Sequence, residues 1–193
     1  MRALILLRHS LTEANERRLY YGWTDLALSS AGRRLARETA ARRPLPTPEL
    51  CVTSGMRRAN ETLMLLTGRT PDAVIPALKE MNFGAFEMRG HWALERETDY
   101  RRWLTGRMDG VDIAPPGGES PRQFHARALR GGEALLAMAW QSALAVVHGG
   151  TIVHLMAEWF PGEGKGFYDW QPGPCEGYRV AFDGRTPVGY EAI

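Results

Sequence analysis

The chain lacks the features that mark membrane, zinc-binding and disulfide-rich proteins. Only 2 of its 193 residues are cysteines. Cys51 and Cys175 are far apart and fit neither a zinc motif nor a C-x-x-C redox motif. No apolar run approaches the roughly 18 residues of a membrane span, and the one at the N-terminus is too short for a signal-peptide core. We therefore expect a cytoplasmic protein with no membrane partner and reduced thiols, although the sequence leaves open whether the cysteines pair.

The chain also lacks a strong net charge and is almost without lysine. Its 24 basic and 22 acidic residues leave a formal charge of +2, which does not indicate a nucleic-acid partner. Lys79 and Lys165 are the only lysines, so nearly every basic residue is an arginine. The distinction matters at an anion site, because a planar guanidinium binds phosphate through two parallel hydrogen bonds.

Three short apolar runs indicate strands that are buried on both faces. They cover Ala3–Leu7, Leu50–Thr53 and Ala143–Val147. Such strands belong to parallel sheets covered by helices, and no linker or repeat interrupts the chain. We therefore predict one α/β domain that spans residues 1–193.

Capping residues predict where the helices begin and end. We expect Ser54 to cap a helix that begins near Arg57 and turns Met64 inward. Ser120 and Pro121 open the longest helix, which is expected to run to about Trp140, with close packing or a bend at its two glycines, 131 and 132. The other predicted elements are a helix from Ser29 or Ser30 to Arg42, a β-like run over 73–78, helices over 92–103 and 151–159, and an edge hairpin of 178–182 and 188–193.

Charged side chains follow the predicted strands at their carboxyl ends. Arg8 and His9 follow the first strand, His148 follows the third, and Arg58 lies in the helical turn after the second. Ligands of open α/β sheets bind at this edge, where helix N-termini also favour anions. Two arginines and two histidines in one pocket would be unstable without an anion. The pattern therefore indicates a phosphate site.

Glu80 lies in the aromatic and glycine-rich loop between Lys79 and Glu87. An isolated glutamate in such a loop is usually a solvated surface residue. A phosphate beside it would push its carboxyl toward the protonated form, so that it can act as a general acid.

Taken in order, these residues resemble the histidine phosphatase superfamily, whose members are the phosphoglycerate mutase-like proteins. The matching elements are Arg8–Asn15 (R-H-G-x-T-x-x-N in the family), Gly22, Asp25 and Leu28 (G-x-x-D-x-x-L), Ser54–Thr62 (S-x-L-x-R-A-x-x-T), Pro116–Ser120 (P-G-G-E-S) and Val146–Gly150 (V-x-H-G-G). The resemblance covers nearly the whole chain. It implies a three-layer α/β/α sandwich with a mostly parallel, doubly wound sheet.

The resemblance also implies a mechanism without metal or cofactor. His9 would be the nucleophile and form a phosphohistidine, while Glu80 would protonate the leaving oxygen and then activate water. Arg8, Arg58 and His148 would hold the phosphoryl oxygens. The further phosphate-binding residues that it implies are Thr12, Asn15, Gly22 and Gly149.

Two details of the sequence bear on the activity. The loop from Glu80 to Arg89 looks most like that of the α-ribazole phosphatases of cobalamin assembly, which implies α-ribazole 5′-phosphate or a similar small phosphomonoester as substrate. Ser10 replaces the usual glycine, and its side chain could obstruct phosphate. Two alternatives therefore stay open, a phosphoglycerate mutase and a non-catalytic protein that binds a phosphorylated ligand. The sequence allows either a monomer or a homodimer.

Overall fold

In the computed structural model, which describes residues 1–193, strands alternate with helices along the chain. The strands are β1 (Arg2–Arg8), β2 (Leu19–Tyr20), β3 (Leu50–Thr53), β4 (Ala73–Val74), β5 (Arg89–Gly90), β6 (Ser142–Val147), β7 (Gly177–Asp183) and β8 (Thr186–Ala192). The helices are α1 (Glu13–Glu16), α2 (Ser30–Arg42), α3 (Arg57–Thr67), α4 (His91–Leu94), α5 (Thr98–Met108), α6 (Pro121–Ala137) and α7 (Gly149–Trp159). Single 3₁₀ turns cover Pro76–Leu78, Gly84–Phe86, Pro161–Glu163 and Phe167–Asp169. No helix has the length and hydropathy that crossing a membrane requires.

The main sheet has six strands in the order β4-β3-β6-β1-β7-β8. β4, β3, β6 and β1 are parallel to one another, whereas β7 and β8 form the predicted antiparallel hairpin, with β8 at the edge. β2 and β5 pair separately as a small antiparallel ribbon. The predicted mostly parallel sheet is therefore confirmed.

The apolar residues of β1 alternate between two cores. Leu4 and Leu6 join the larger core cluster with residues of α6 and α7. Ile5 and Leu7 join the smaller one, which includes Leu63 of α3. Because helices cover both faces, every position of the central strand can be apolar. The single-domain three-layer sandwich is confirmed.

A third cluster joins the loop that follows Glu80 to the rest of the fold. Its buried residues are Met81, Phe86, Leu94, Tyr100, Trp103, Phe124 and Ala128. The last two belong to α6, so this packing attaches the loop to the longest helix. Glu80 consequently stands on a supported segment rather than a free surface loop.

The predicted helix over 92–103 is wrong in one respect, because it is broken into α4 and α5 between Glu95 and Glu97. Glu97 forms an ion pair with Arg89 of β5 just before α5 begins. The predicted β-like run over 73–78 is also too long. Strand pairing ends at Val74, and Pro76, which has no backbone N–H for a ladder, begins a 3₁₀ turn instead.

Helix α6 ends earlier than predicted, at Ala137. The chain leaves the helix so that Trp140 can pack in the core, where its Nε1 donates to the Leu135 carbonyl at 2.9 Å. Gly131 and Gly132 lie inside α6, where a Cβ on either would come within 2.7 Å or 2.6 Å of a neighbouring leucine. The glycines therefore allow the close packing that was one of the two predicted outcomes.

Two smaller expectations concern Met64 and the two cysteines. Met64 was predicted to face inward but is 41% exposed. Cys51 and Cys175 are both free and buried, so the two thiols do not pair.

Candidate active site

A cavity of about 350 Å³ opens at the carboxyl ends of β1 and β6. Six of the predicted site residues line it: Arg8, His9, Asn15, Arg58, Glu80 and Gly149. His148 lies directly against this group, with its ring centroid 5.1 Å from that of His9. Thr12 and Gly22 do not line the cavity, and their roles are described below.

His9 is held as a neutral imidazole with one committed nitrogen. Its Nδ1 lies 2.6 Å from the Ser10 carbonyl oxygen. A carbonyl can only accept, so Nδ1 carries the proton and Nε2 keeps its lone pair. Burial and the nearby Arg58 lower the pKa of His9 well below its ordinary value. The Nε2 lone pair of His9 is therefore available without any deprotonation.

Arg58 is a fully buried cation with no ion-pair partner. Its two Nη atoms donate to the carbonyls of Gly22 at 2.6 Å and Thr24 at 3.0 Å. Burial lowers the pKa of Arg58, but a guanidinium does not lose its proton in a protein. A buried charge that is bonded only to neutral groups is costly unless an anion binds beside it.

Arg8 presents a second unpaired donor. Its Nη1 donates to the Pro172 carbonyl at 2.8 Å, while its Nε is buried and has no partner. A Cβ added to Gly149 would lie 3.4 Å from that Nε. Because Gly149 begins α7, the free N–H lies beside a helix N-terminus, which also favours an anion.

His148 connects Arg58 to Ser54. The Arg58 Nε donates to its Nδ1 at 3.3 Å, and its Nε2 lies 2.8 Å from the Ser54 hydroxyl. Since a guanidinium can only donate, Nδ1 is the acceptor and Nε2–H donates to Ser54. Burial first, and then Arg58 and His9, lower the pKa of His148 well below its ordinary value.

Ser54 was predicted to cap α3, and this prediction is wrong. The N-cap residue is Met56, whose side chain makes no capping bond. Asp25 supplies the acceptor from another loop, because its Oδ1 accepts from the Arg57 N–H at 2.7 Å. Ser54 therefore does not cap the helix, and its hydroxyl orients the His148 ring.

Both oxygens of Glu80 are oriented by backbone donors. Oε2 accepts from the Gly150 N–H and Oε1 from the Met81 N–H, each at 2.9 Å. The Gly150 bond ties the carboxylate to the first turn of α7, which also carries Gly149. Glu80 therefore stands at the same end of the cavity as Arg8, Arg58 and Gly149. We call this the phosphate end, because its unpaired cationic donors favour an anion.

Arg127 fixes the backbone around Glu80 and was missed by sequence reasoning. It donates to the carbonyls of Lys79 at 2.8 Å and Glu80 at 3.0 Å. It also forms a two-bond ion pair with Glu119, and the two side chains are only 13% and 16% exposed. The glutamate of the P-G-G-E-S element, Glu119, was the one available signal, because a largely buried carboxylate needs a cation.

Thr12 supports Asn15 rather than the cavity. The Asn15 Oδ1 accepts from the Thr12 N–H at 3.0 Å, the Thr12 hydroxyl at 3.1 Å and the Tyr21 hydroxyl at 2.7 Å. Three donors occupy the oxygen, so the amide NH₂ group is the part of Asn15 that can donate to a ligand. Thr12 is the N-cap of α1 and acts through this orientation.

Gly22 likewise acts from outside the cavity, through its carbonyl bond to Arg58. A Cβ on Gly22 would lie 1.6 Å from the Met81 carbonyl oxygen, so only glycine allows the two loops to approach this closely. Gly22 was predicted to bind phosphate. In the structure its carbonyl instead accepts from Arg58, which lies at the phosphate end of the cavity.

Ser10 does not enter the cavity. Its hydroxyl is buried and donates to the Gly32 carbonyl at 2.8 Å. Its N–H donates to the Thr62 hydroxyl at 2.9 Å, and that hydroxyl donates to the Arg58 carbonyl at 2.7 Å. The side chain that replaces the usual glycine thus points into α2, away from any phosphate.

The other end of the cavity is aromatic and was not anticipated. Phe124, His154, Phe167 and Tyr168 line it together with Arg107. His154 lies edge-to-face with Phe124 at 4.9 Å and with Phe167 at 6.2 Å. Nothing in the local sequence marks His154, because its neighbours come from three different segments that only the fold brings together.

The profile of the histidine phosphatase superfamily (branch 1) matches residues 4–190. The chain belongs to this superfamily. A histidine phosphatase relative named 2,3-bisphosphoglycerate-dependent phosphoglycerate mutase, from Methylobacterium radiotolerans, is 31% identical over 162 residues, which are 78% of this chain and 76% of that protein. The membership predicted from the sequence is therefore confirmed.

Solved histidine phosphatase structures share the whole fold. The α-ribazole phosphatase from Shigella flexneri has a TM-score of 0.84 at 26% identity and covers 96% of this chain and 93% of its own. The phosphoglycerate mutase from Thermus thermophilus has a TM-score of 0.74 at 27% identity, with 99% of each chain covered. The similar proteins thus include both a phosphatase and mutases.

Proposed function

We propose that this histidine phosphatase hydrolyses small phosphate monoesters through a phosphohistidine on His9, without metal or cofactor. One observation carries the proposal. A neutral His9, whose Nδ1–H is committed to the Ser10 carbonyl, stands beside two guanidiniums that have no anionic partner. This arrangement offers a lone pair and a positive field to the same phosphoryl group.

In the first step the His9 Nε2 attacks phosphorus. The P–N bond forms while the bond from phosphorus to the ester oxygen breaks, and protonated Glu80 transfers its proton to that oxygen. Arg8, Arg58 and the Asn15 amide donate to the phosphoryl oxygens. Pro172 orients Arg8, Thr12 orients the Asn15 amide, and the carbonyls of Gly22 and Thr24 hold the two Nη atoms of Arg58. These groups are therefore in place before charge develops.

In the second step water replaces the histidine. The water oxygen attacks phosphorus while Glu80, now a carboxylate, accepts a proton from that water. The P–N bond breaks in the same step. His9 leaves as the neutral imidazole, and inorganic phosphate departs. Glu80 recovers its proton, so the cycle closes without any other reactant.

His148 would donate to the phosphoryl group through Nδ1. In the unliganded arrangement that nitrogen accepts from Arg58, so the ring proton must move from Nε2 to Nδ1 when phosphate binds. Ser54 supports both states, because a hydroxyl can accept from Nε2–H or donate to a bare Nε2. Arg58 then turns its Nε–H from His148 to a phosphoryl oxygen.

Within this class we propose α-ribazole 5′-phosphate or a similar small ester as the substrate. The fold similarity to the Shigella flexneri α-ribazole phosphatase supports this choice, as does the Glu80–Arg89 loop. A phosphoglycerate mutase is the second candidate, favoured by the 31% identity to the Methylobacterium radiotolerans protein. In that reaction the phosphoryl group would return from His9 to the substrate instead of passing to water.

The deciding experiment measures phosphate release from p-nitrophenyl phosphate, α-ribazole 5′-phosphate, L-phosphoserine and 3-phosphoglycerate. We expect His9→Ala to abolish turnover and acid-labile labelling by a ³²P-labelled ester. His91→Asn serves as the control, because His91 is an exposed histidine that does not line the cavity. Interconversion of phosphoglycerates without phosphate release would establish the mutase. Binding of esters with neither turnover nor labelling would establish the non-catalytic alternative.

A further inference from the structure

We propose that the far end of the cavity selects leaving groups with an uncharged aromatic ring, and that His154 determines this specificity by accepting a hydrogen bond from them. The inference rests on the proposed function and concerns the part of the substrate beyond the ester oxygen.

The position of the leaving group follows from Glu80. The group attached to the ester oxygen must lie on the side of Glu80 that faces away from the phosphoryl donors. A Cβ on Gly150 would lie 2.4 Å from Glu80 Oε1 and 3.0 Å from Phe124 Cε1, so the carboxylate and the Phe124 ring are neighbours. His154 and Phe167 continue this wall outward. A leaving group of any size therefore contacts these rings.

The charge of this end excludes a second phosphate. The far end contains no carboxylate, and Arg107 is its only cationic side chain. Arg107 lies exposed at the rim, with its guanidinium 5.0 Å from the centroid of the Trp103 ring. Arg58, which is fully buried, and Arg8, whose Nε is buried, both lie at the phosphate end. A second dianionic group would be desolvated against Phe124 and Phe167 without a buried counterion, whereas an aromatic ring would pack edge-to-face or stacked.

A short chain of polar side chains, His154, His125 and Glu158, provides the hydrogen-bond acceptor for the leaving group. The Nδ1 atoms of His154 and His125 lie 3.2 Å apart, so one of them donates to the other. Glu158 Oε2 lies 4.0 Å from His125 Nε2 and favours a proton there. The His125 Nδ1 then accepts, His154 Nδ1–H donates, and the His154 Nε2 is left as an acceptor with no partner in the protein.

The neutral charge of His154 is consistent with an Nε2 that accepts a hydrogen bond. Burial first, and then His125 and Arg107, lower the pKa of His154 to about 4. At neutral pH it adds no positive charge that would attract an anion. Its Nε2 can accept from a hydroxyl or N–H group on the ring or on the sugar-like portion that carries it.

The test compares three esters that share one reaction but differ beyond the ester oxygen. Adenosine 5′-monophosphate supplies an uncharged ring with donors, ribose 5-phosphate lacks the ring, and 2,3-bisphosphoglycerate supplies a second dianion. We expect kcat/KM to be at least tenfold higher for adenosine 5′-monophosphate than for either of the others. A preference for ribose 5-phosphate or the bisphosphate would overturn the inference.

Two variants test the role of His154 itself. His154→Phe keeps an aromatic ring but removes the acceptor, so kcat/KM for adenosine 5′-monophosphate should fall about tenfold, mainly through KM. His154→Gln retains an acceptor and should recover to within threefold of wild type. His91→Asn controls for loss of a histidine elsewhere. If His154→Phe leaves the ratio of kcat/KM for adenosine 5′-monophosphate to that for ribose 5-phosphate unchanged, a specificity role of His154 is excluded.

A binding measurement separates this inference from the proposed function. Calorimetric titration of His9→Ala with the same three esters requires no turnover and should give the same order of affinities. If p-nitrophenyl phosphate is not hydrolysed but this order holds, the function fails and the specificity stands. If hydrolysis is normal but the order is reversed, the function stands and the specificity fails.

Discussion

Glu87 and Arg58 hold the same loop from opposite sides and form no ion pair with each other. The Glu87 carboxylate accepts from the N–H groups of Gly22 at 2.9 Å and Thr24 at 3.1 Å. Arg58 donates to the carbonyls of the same two residues. The carboxylate thus orients the loop whose carbonyls position Arg58, although Glu87 itself lies outside the cavity. We infer that Glu87 is a positioning residue.

Replacing Glu87 by glutamine tests this relationship. Burial alone would raise the pKa of Glu87, but hydrogen bonds from the Thr24 hydroxyl and neighbouring backbone N–H groups outweigh burial and lower it. An amide would turn one NH₂ group toward these donors. We expect the free energy of unfolding to fall by roughly 2 kcal/mol and KM for p-nitrophenyl phosphate to rise about tenfold.

The control for Glu87→Gln is Glu38→Gln, on the exposed side of α2, which should change neither quantity. A loss of stability in Glu87→Gln with an unaltered KM would mean that Arg58 keeps its position without the carboxylate. Glu87→Asp, which retains the charge, should recover part of the activity.

Gly22→Ala should damage the site through a steric clash. The added Cβ would lie 1.6 Å from the Met81 carbonyl oxygen, so one of the two loops must move. Movement of Gly22 takes its carbonyl away from Arg58, and we expect kcat/KM to fall at least 100-fold. Gly162→Ala is the matched control, because nothing lies within 4 Å of a Cβ there. Equal kinetics for the two variants would contradict the steric argument.

Ser10→Gly should leave catalysis nearly unchanged and reduce stability. The variant loses the buried hydrogen bond from the Ser10 hydroxyl to the Gly32 carbonyl, which costs about 0.5–1.5 kcal/mol. Chemical denaturation and kcat/KM for p-nitrophenyl phosphate measure the two effects, and kcat/KM should stay within threefold. An increase of tenfold or more would show that the serine obstructs the phosphate after all.

The two buried histidines of the candidate active site make stability depend on pH. His9 and His148 remain neutral in the folded protein below their ordinary pKa of 6.5, whereas the unfolded chain protonates them there. The unfolded state then binds more protons, so stability falls as pH falls below 6.5, by up to about 1.4 kcal/mol per pH unit for each histidine.

Urea denaturation of the protein between pH 7.5 and pH 5 measures this dependence. In His9→Asn the free energy of unfolding should change less steeply with pH than in wild type, because one of the two buried imidazoles is absent. His91→Asn should keep the full slope. A wild-type stability that is flat over this range would contradict the neutral state of the two rings.

Much of the fold was predictable because it depends on local patterns. The apolar run of β1 indicated a strand buried on both faces, and its polar ending placed Arg8 and His9 at the ligand-binding edge. Serine and proline signals found the start of α6 correctly. The break between α4 and α5 was not predictable, since it accompanies an ion pair of Glu97 with Arg89. Arg89 is positioned by the pairing of β5 with β2, a contact between distant parts of the chain.

The sequence by itself determined the family, the architecture and the residues that face the phosphate end, because strand ends and helix starts are encoded by consecutive residues. Only the tertiary structure decided how those residues are held and what lies beyond them. The tautomer of His148, the direction of the Ser10 hydroxyl, the loop shared by Glu87 and Arg58, and the aromatic wall at His154 each depend on groups far apart in the chain. A hydrogen bond depends on distances of a fraction of an ångström and on direction, and spacing along a sequence carries neither.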